Sequence, residues 1–267
     1  MERKRWRLLA TVGLTAFFCG ASPGWAQTAP SLGSAQSFAV LGGSTVTNTG
    51  PTTITGDLGV SPGSAVTGFP PGQVSGGAIH AADAVALAAQ NSVTTAYNSL
   101  TSQACTLDLT GQDLGGKTLT PGVYCFSSSA QLTGILTLNA GGNAGAVFIF
   151  KIGSTLTTAS GSSVAVINGG SPCNVFWQVG SSATAGTTTS FAGNILALTS
   201  ITLTTGARVT GRALARNGAV TLDSNTVTTA ACAAAVPALP DMLLIVLALG
   251  LTALGYFRLR RHARTAH

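Results

Sequence analysis

The chain is poor in the side chains from which most binding and catalytic sites are built. Charged residues make up 7% and aromatic residues 6% of its 267 residues, and Glu2 is the single glutamate. Between residues 27 and 240, five aspartates balance five basic side chains, so this stretch carries no formal net charge. Nucleic-acid binding needs clustered lysine and arginine on one face. The composition therefore excludes a nucleic-acid partner.

The shortage of acids and histidines also argues against catalysis. His80 is the only histidine between residues 27 and 240, and Asp108 with Asp113 is the only close pair of carboxylates in that stretch. A glycosidase needs two such groups, but both aspartates lie in a glycine-rich segment where aspartate commonly caps turns. The sequence also lacks a nucleophile elbow, a phosphate-binding loop and a metal-ligand spacing. We predict a protein that is not an enzyme and uses no cofactor or metal ion.

The first residues of the chain have the features of a secretory signal peptide. Four basic residues precede an apolar run over residues 8–21, and the small residues Gly24 and Ala26 occupy the usual cleavage positions. We predict a signal peptide over residues 1–26, removed after Ala26, with an uncleaved membrane anchor as the alternative. Export places the remaining chain in an oxidising compartment.

The C-terminal segment, residues 236–267, has the pattern of a membrane anchor. Residues 242–257 carry no charge, and the tail over residues 258–267 contains four arginines. This order predicts a short transmembrane helix with its basic tail inside, and a buried apolar helix is the alternative. With the proline-containing stretch Val236–Pro240, the segment resembles the PEP-CTERM type of sorting signal in Gram-negative bacteria. That resemblance implies tethering at the cell surface, or release there by a sorting protease.

Four cysteines follow the predicted signal peptide: Cys105, Cys125, Cys173 and Cys232. An even number of cysteines in an exported protein favours disulfides over free thiols. Three pairings are possible. We favour Cys105 with Cys125 and Cys173 with Cys232, because each pair flanks a contiguous stretch of chain. Each bridge is expected to stabilise the fold by about 2–4 kcal/mol.

Residues 27–235 are expected to form one mainly β domain with a single helix. The helix is predicted at about residues 78–103, where glycine and proline are absent and apolar side chains recur three to six residues apart. His80 and Asp83 lie at its expected start and are interpreted as structural residues. Elsewhere, short runs alternate aliphatic side chains with threonine, serine or asparagine between glycine-containing turns, which predicts strands.

A recurring tripeptide suggests that these strands repeat in space. It places a small or hydroxyl-bearing residue first, an aliphatic residue or alanine second, and threonine third; Leu136–Leu138 is counted in the same series. The final threonines at positions 137, 157, 184, 202 and 221 are separated by 20, 27, 18 and 19 residues. These intervals suit the coils of a small β-solenoid. A β-sandwich is the alternative architecture, since it also contains many short strands.

In such a solenoid the aliphatic residues point inward and their neighbours point to solvent, so that successive coils stack the outward residues into ranks. The candidate binding residues are Thr45, Thr47, Thr155, Thr157, Ser182, Thr184, Ser200, Thr202, Ala219 and Thr221. Their short, stiff side chains offer methyl and hydroxyl groups in a fixed array that can match a crystalline ligand. Simple solubility is the alternative explanation. Trp177 is a candidate for stacking on a carbohydrate, although one isolated tryptophan in a strand is more often a core residue.

Seven stretches along the chain carry a resemblance to a known family. They are Leu32–Leu41, Ile54–Pro62, Leu119–Tyr124, Ala146–Phe150, Asn174–Val179, Phe191–Ala197 and Gly211–Leu222. In content and order they resemble the microbial ice-binding protein family over about residues 31–232. The resemblance implies a right-handed triangular β-solenoid with one long helix packed alongside, and ice adsorption through one flat face. Thr199–Thr202 and Gly218–Thr221 are similar to the Thr-Ala/Gly-x-Thr/Asn stretches on that face in some members.

These observations predict an exported ice-binding protein whose partner is the surface of an ice crystal. The resemblance implies that adsorption makes ice grow as curved fronts between bound molecules, which depresses freezing and inhibits recrystallisation. A membrane-tethered copy would hold a cell to ice. A carbohydrate- or surface-binding adhesin is the alternative function, and a polysaccharide-degrading solenoid enzyme is opposed by the missing acids.

Overall fold

The short alternating runs form 22 β-strands in the computed structural model, which describes residues 27–232. The predicted signal peptide at residues 1–26 and the predicted anchor at residues 236–267 lie outside the described residues. Within the described range, no helix combines the length and the hydropathy that a membrane span requires. The mainly β architecture with one helix, predicted from the alternation, is confirmed.

The strands pair in parallel into three ladders that surround one core, and a typical coil of the chain contributes one strand to each ladder in turn. The first ladder contains, in stacking order, β8 (Leu107–Asp108), β10 (Gly122–Phe126), β13 (Phe148–Ile152), β16 (Val175–Val179), the second halves of β18 (Ser190–Ala197) and β20 (Arg208–Ala215), β1 (Phe38–Gly42), β4 (Asp57–Val60) and β7 (Ile79–Ala81).

The second ladder, named here the threonine ladder, contains β11 (Ala130–Leu132), β14 (Leu156–Thr158), β17 (Ala183–Ala185), β19 (Ile201–Leu203), β21 (Val220–Asp223), β2 (Thr45–Thr49) and β5 (Ala65–Thr67). The third ladder contains β9 (Thr118–Leu119), β12 (Ile135–Asn139), β15 (Ser163–Ile167), the first halves of β18 and β20, β22 (Thr226–Thr228), β3 (Thr53–Thr55) and β6 (Gln73–Ser75).

Strands β18 and β20 pass from the third ladder into the first, and each turns this corner at a glycine. Gly193 and Gly211 have φ angles of 116° and 141° and lie in register with each other. A Cβ atom on Gly211 would lie 2.1 Å from the carbonyl oxygen of Gly193. Both the backbone conformation and the close approach of neighbouring coils therefore require glycine.

The order of coils in space differs from their order in the sequence. The first two coils, from Phe38 to Ala81, stack onto the last one: β1 pairs with β20, β2 with β21 and β3 with β22. The chain then returns as one helix, α1 (Ala84–Thr101), which contacts β4 and β7 at one end of the stack and β13 and β16 towards the other. The coils that follow the helix build the stack back towards the first two.

The helix is shorter than the prediction of about residues 78–103. Ile79–Ala81 forms β7, because its backbone pairs with β4, and Ala82 then adopts a positive φ that interrupts regular structure. Asp83 caps the helix: its Oδ1 accepts a hydrogen bond of 2.8 Å from the backbone N–H of Ala86. The chain therefore begins the helix at Ala84 rather than within the apolar pattern that starts at Ile79.

One face of α1 packs against the outer side of the first ladder, burying Ala86, Ala89, Gln90, Val93, Ala96, Tyr97 and Leu100. Spacings of three and four residues place these side chains on a single stripe. Gln90 donates a hydrogen bond of 2.9 Å to the Ala215 carbonyl, and the guanidinium of Arg216 lies 4.8 Å from the ring centre of Tyr97. The first ladder is thereby covered, whereas the threonine ladder is left open to solvent.

Candidate functional site

The threonine ladder presents a continuous central rank of outward side chains. The central rank is Gln131, Thr157, Thr184, Thr202, Thr221, Thr47 and Thr67, each directly in register with the next. Next to each of these residues except Thr67, an apolar side chain such as Ile201 or Val220 is buried, and beside Thr67 the side chain of Val66 is partly buried. Strand spacing of about 4.8 Å makes this rank roughly 29 Å long.

A second rank, the edge rank, runs two residues earlier in each coil and so lies on the same side of the ladder. The edge rank is Ser129, Thr155, Ser182, Ser200, Ala219, Thr45 and Ala65. Backbone hydrogen bonds continue through these positions, as between Leu156 N–H and Ser182 C=O at 3.1 Å and between Ile201 N–H and Ala219 C=O at 2.9 Å. The two ranks together form a two-dimensional array of small and hydroxyl-bearing groups.

Neighbouring hydroxyl groups in the array contact one another. The side-chain oxygens of Thr47 and Thr221 are 3.4 Å apart, and those of Ser129 and Thr155 are 2.8 Å apart. Each threonine is β-branched and so has few rotamers. These contacts and the parallel ladder beneath them hold the array in one arrangement before any ligand arrives.

Neither rank contains a charged residue, although charged groups lie close by. The nearest acid in the strands themselves is Asp223, at the end of β21, where it is paired with Thr49. Its Oδ2 accepts a hydrogen bond from the Thr205 hydroxyl at 2.5 Å, so the carboxylate is already engaged with the protein. The surface of the array therefore offers methyl and hydroxyl groups without a strongly hydrated ion.

Glycines at the preceding corner allow the coils of the array to approach closely. A Cβ atom on Gly218 would lie 2.2 Å from the Ser200 hydroxyl oxygen, and one on Gly180 would lie 2.4 Å from the Gly153 carbonyl oxygen. Any larger side chain would push neighbouring coils apart at the point where the edge rank begins. The glycine-containing turns seen in the sequence thus allow neighbouring coils to reach the spacing that strand pairing sets.

The structure brings all ten candidate binding residues together on the threonine ladder, five in each rank. Sequence reasoning missed Gln131 and Thr67 in the central rank, and Ser129 and Ala65 in the edge rank. Ala65-Val66-Thr67 fits the recurring tripeptide and could have been found from it. Gln131 could not have been found in this way, because the recurring tripeptide ends in threonine.

One member of the predicted series lies elsewhere. Thr137 belongs to β12 in the third ladder, where it pairs with Thr118 and Ala165. The residue that precedes Thr157 in the central rank is Gln131 instead. Each coil carries alternating hydroxyl and aliphatic residues on two of its three strands, so the tripeptide alone did not distinguish the two ladders.

The third ladder also exposes threonine, but in a mixed surface. Its outward residues include Thr53 and Thr226, whose hydroxyl oxygens are 3.4 Å apart, but also Arg208 in the same register and, at one end, the half-exposed Ile135. A cation and a large apolar side chain interrupt the array there. The exposed threonines of the third ladder therefore offer control positions outside the candidate site.

The polar residues that could have carried chemistry are used by the fold. Asp108 Oδ1 accepts the Thr110 N–H at 2.8 Å, and Asp113 Oδ1 accepts the Gly115 N–H at 2.6 Å, which confirms their expected role as turn caps. Hydrogen bonds from Thr110 lower the pKa of Asp108. His80 Nδ1 lies 2.7 Å from Oδ2 of Asp83, the residue that caps the helix.

Trp177 is a core residue, so it is not available to stack on a carbohydrate. It is fully buried and lies within a row of rings inside the solenoid: its ring centre is 3.9 Å from that of Phe150 and 4.9 Å from that of Phe191. Its indole N–H donates a hydrogen bond of 3.0 Å to the Ala192 carbonyl. The only sequence feature that pointed to a carbohydrate ligand is accounted for by packing.

Two disulfides join Cys105 to Cys125 and Cys173 to Cys232, which is the pairing that the sequence favours. The first links the segment after α1 to β10. The second links the turn before β16 to the end of the described chain. Neither disulfide lies in the threonine ladder.

Comparisons with known proteins agree with this arrangement. The family described as ice-binding-like matches residues 40–228. The chain is 57% identical over 267 residues to an ice-binding protein of Nostoc sp. (strain HG1), with 97% of each protein covered. It is 34% identical to an ice-binding protein of Flavobacterium frigoris (strain PS1), with 78% of this chain and 79% of the relative covered.

Solved structures show the same fold. An ice-binding protein from an Antarctic biological consortium matches with a TM-score of 0.73 and 50% identity, over 76% of this chain and 91% of the other. An ice-binding protein from the Antarctic ascomycete Antarctomyces psychrotrophicus matches with a TM-score of 0.73 and 42% identity, over 75% of this chain and 98% of the other. These two solved relatives therefore consist of little more than the domain described here.

Proposed function

Because the chain belongs to the ice-binding-like protein family, we propose that it adsorbs to ice through the central and edge ranks of the threonine ladder. The observation that carries this assignment is the in-register alignment of six threonines in the central rank. No other outward surface of residues 27–232 combines such an array with the absence of charge.

The physical basis of the binding is a rigid array meeting a rigid lattice. Each methyl or hydroxyl contact is weak, but the side chains lose little conformational entropy because the ladder already orders them. Many weak contacts then add up to firm adsorption. Ice between adsorbed molecules grows as curved fronts, which lowers the local freezing temperature and slows recrystallisation.

The array needs no catalytic group for this function, and the protein is proposed to act as a binding protein only. Thr, Ser and Ala present both an apolar and a hydrogen-bonding surface, so they can hold water in an ordered layer that merges with ice. A charged side chain in the array would keep its own hydration shell instead. The uncharged composition of the two ranks supports this role.

The test is to block the array with one bulky side chain. Thr202→Tyr, in the middle of the central rank, is expected to abolish most ice recrystallisation inhibition and ice-affinity partitioning. Thr53→Tyr, an exposed position on the third ladder, is the matched control and is expected to retain both. Thermal unfolding of both variants should stay close to that of the wild type.

An adhesin that binds carbohydrates or other surfaces is the competing function, and the same experiment separates the two. Wild-type protein that remains wholly in the liquid fraction during slow freezing would overturn the ice assignment. Equal loss of activity in Thr202→Tyr and Thr53→Tyr would overturn the assignment of the face.

The protein is also proposed to be exported and held at a bacterial cell surface. This rests on the signal-like residues 1–26 and the apolar and basic segments at residues 242–257 and 258–267. The two disulfides support an oxidising compartment. Mass spectrometry of the mature protein in a native membrane fraction tests it: a chain that starts at Gln27 is expected, and an intact N-terminus would contradict cleavage.

A further inference from the structure

The chain enters and leaves the solenoid at the same edge of the fold. Each coil runs from the first ladder to the threonine ladder, then to the third ladder, and back to the first. Of the three edges between ladders, the one between the third and first ladders is the only edge that does not border the threonine ladder. The last strand, β22, belongs to the third ladder, and β1, which follows the entering segment, belongs to the first.

The departing end of the chain is fastened to this edge. After β22 the chain forms a short 3-10 turn, Ala230–Cys232, which contacts the 3-10 turn Pro172–Asn174 that precedes β16, although β20 and β18 lie between β22 and β16 in the stack. The disulfide between Cys173 and Cys232 joins the two turns, with 5.2 Å between their Cα atoms. Residue 232 therefore holds a fixed position relative to the three ladders.

The entering end is fastened beside it. The guanidinium of Arg212 is almost fully buried just past the Gly211 corner, and it is not paired with any carboxylate among residues 27–232. Its Nε and Nη2 donate to the Gln36 carbonyl at 3.1 and 2.5 Å, and its Nη1 donates to Asn194 Oδ1 at 2.8 Å. One buried cation thus pins the backbone before β1 to the edge at which Cys232 leaves.

We propose that this edge is the attachment edge of the protein: the tail that follows Cys232 holds the domain to a membrane so that the threonine ladder points away from it. One partner is then ice on the outer side, and the other is the lipid surface that carries the tail. The proposal rests on the proposed ice binding and adds an orientation to it. A tether on either of the other edges would bring the array against the supporting surface.

Two glycine turns allow the orientation to be tested with matched variants. Gly142, between the third and first ladders, lies on the attachment edge, whereas Gly161, between the threonine and third ladders, borders the array. Both have positive φ, both have open space where a Cβ would lie, and the N–H of each donates a 2.9 Å hydrogen bond to the next coil. We therefore compare two insertions of a biotin-acceptor peptide, one after Gly142 and one after Gly161, because they alter turns of the same kind.

The experiment compares three attachments of residues 27–235 to streptavidin beads: through a C-terminal acceptor peptide, through the Gly142 insertion and through the Gly161 insertion. Two solved relatives, at 50% and 42% identity, consist of little more than this domain, so residues 27–235 are expected to fold without the tail. Beads coated at equal density through the C-terminus or Gly142 are expected to adhere to an ice surface. Beads coated through Gly161 are expected to adhere several-fold less.

Each protein is first assayed for ice recrystallisation inhibition without beads, which separates the hypothesis of ice binding from the hypothesis of orientation. If the free wild-type domain does not inhibit ice recrystallisation, the proposed ice-binding function itself is wrong. If all three free proteins inhibit recrystallisation and beads coated through all three attachments adhere equally to ice, only the proposed orientation is wrong. If the free Gly161 insertion is inactive, an insertion after Gly206, on the same edge, replaces it.

The full chain provides the direct measurement. It is reconstituted into phosphatidylcholine vesicles, and flotation shows whether the chain accompanies the lipid. Vesicles carrying the wild-type chain are expected to be captured by growing ice, and vesicles carrying Thr202→Tyr are not. A chain that does not float with lipid, or floating vesicles that ice does not capture although the free domain binds, would overturn the attachment proposal.

Discussion

Thr47 lies directly beside Thr221 in the central rank, with 3.4 Å between their hydroxyl oxygens although 174 residues separate them in the sequence. Thr47→Tyr is therefore expected to reduce ice recrystallisation inhibition as strongly as Thr221→Tyr, because both side chains stand in the same part of the array. Thr55→Tyr, from the same coil but on the third ladder, serves as the control. A Thr47→Tyr protein with wild-type activity would restrict the binding surface to the coils after the helix.

Gln131 is the one residue of the central rank that is neither small nor β-branched, and it lies at the end of the rank. Replacing it with threonine would extend the array by one rung, because its backbone is already paired with Thr157. Gln131→Thr is expected to lower the concentration needed for recrystallisation inhibition by up to a few-fold while leaving the thermal midpoint almost unchanged. An unchanged endpoint would show that ice does not contact the terminal coil.

The two disulfides close loops of different length, because the sequence separation is 20 for Cys105 and Cys125 and 59 for Cys173 and Cys232. Loop-closure entropy then gives stabilisations of about 3 and about 4 kcal/mol. The double variant Cys173→Ser/Cys232→Ser is expected to unfold at lower denaturant concentration than Cys105→Ser/Cys125→Ser, as followed by circular dichroism in urea. The opposite ranking would mean that folded-state contacts outweigh loop entropy.

Asp113 links two coils and makes stability depend on pH. Burial tends to raise the pKa of its carboxyl, but the backbone N–H groups of Gly115 and Thr133, at 2.6 and 3.0 Å, outweigh burial and hold the pKa below 3.8. Because the folded-state pKa is the lower one, the stabilisation is fully present above about pH 4 and is lost as pH falls through the folded-state pKa.

Asp113→Asn keeps an oxygen acceptor and removes the titration. The difference in unfolding free energy between wild type and Asp113→Asn should therefore narrow as pH falls below about 4. Urea unfolding of both proteins at several pH values between neutral and acidic measures this difference in unfolding free energy. Asp223→Asn, at an aspartate that does not join these two coils, serves as the comparison variant. If the difference in unfolding free energy between wild type and Asp113→Asn stays constant with pH, Asp113 does not make stability depend on pH.

The residues that alternate strictly were the ones whose structure the sequence predicted well. Ile201 and Val220 between hydroxyl-bearing neighbours specify strands with one buried face, and Asp108 and Asp113 beside glycines specify turns. Both patterns depend only on local geometry. The helix start was less certain, because Ile79 continues the apolar pattern of α1 but its backbone pairs with β4. Only the position of a distant strand decides between these states.

The membership of the threonine ladder depended on information beyond the local pattern. Thr137 and Thr157 each follow a leucine in an alternating run, yet they stand on different ladders, because β12 pairs with β9 and β15 whereas β14 pairs with β11 and β17. Gln131 occupies a central-rank position only because its strand pairs with β14. Likewise, no local feature indicates that β2 pairs with β21 across the helix and the later coils.

Stacking of the first coils on the last one has a consequence for how the protein is made. A chain synthesised from its N-terminus has completed residues 38–81 long before residues 212–228 exist, so these coils cannot join the stack in order of synthesis. Contacts of such large sequence separation make folding slow. Until the final coil emerges, both pieces carry unpaired strand edges that could associate with other chains. Assembly of the domain is therefore an event of the finished polypeptide, and a truncation just before Val220 is expected to aggregate rather than to give a shorter solenoid.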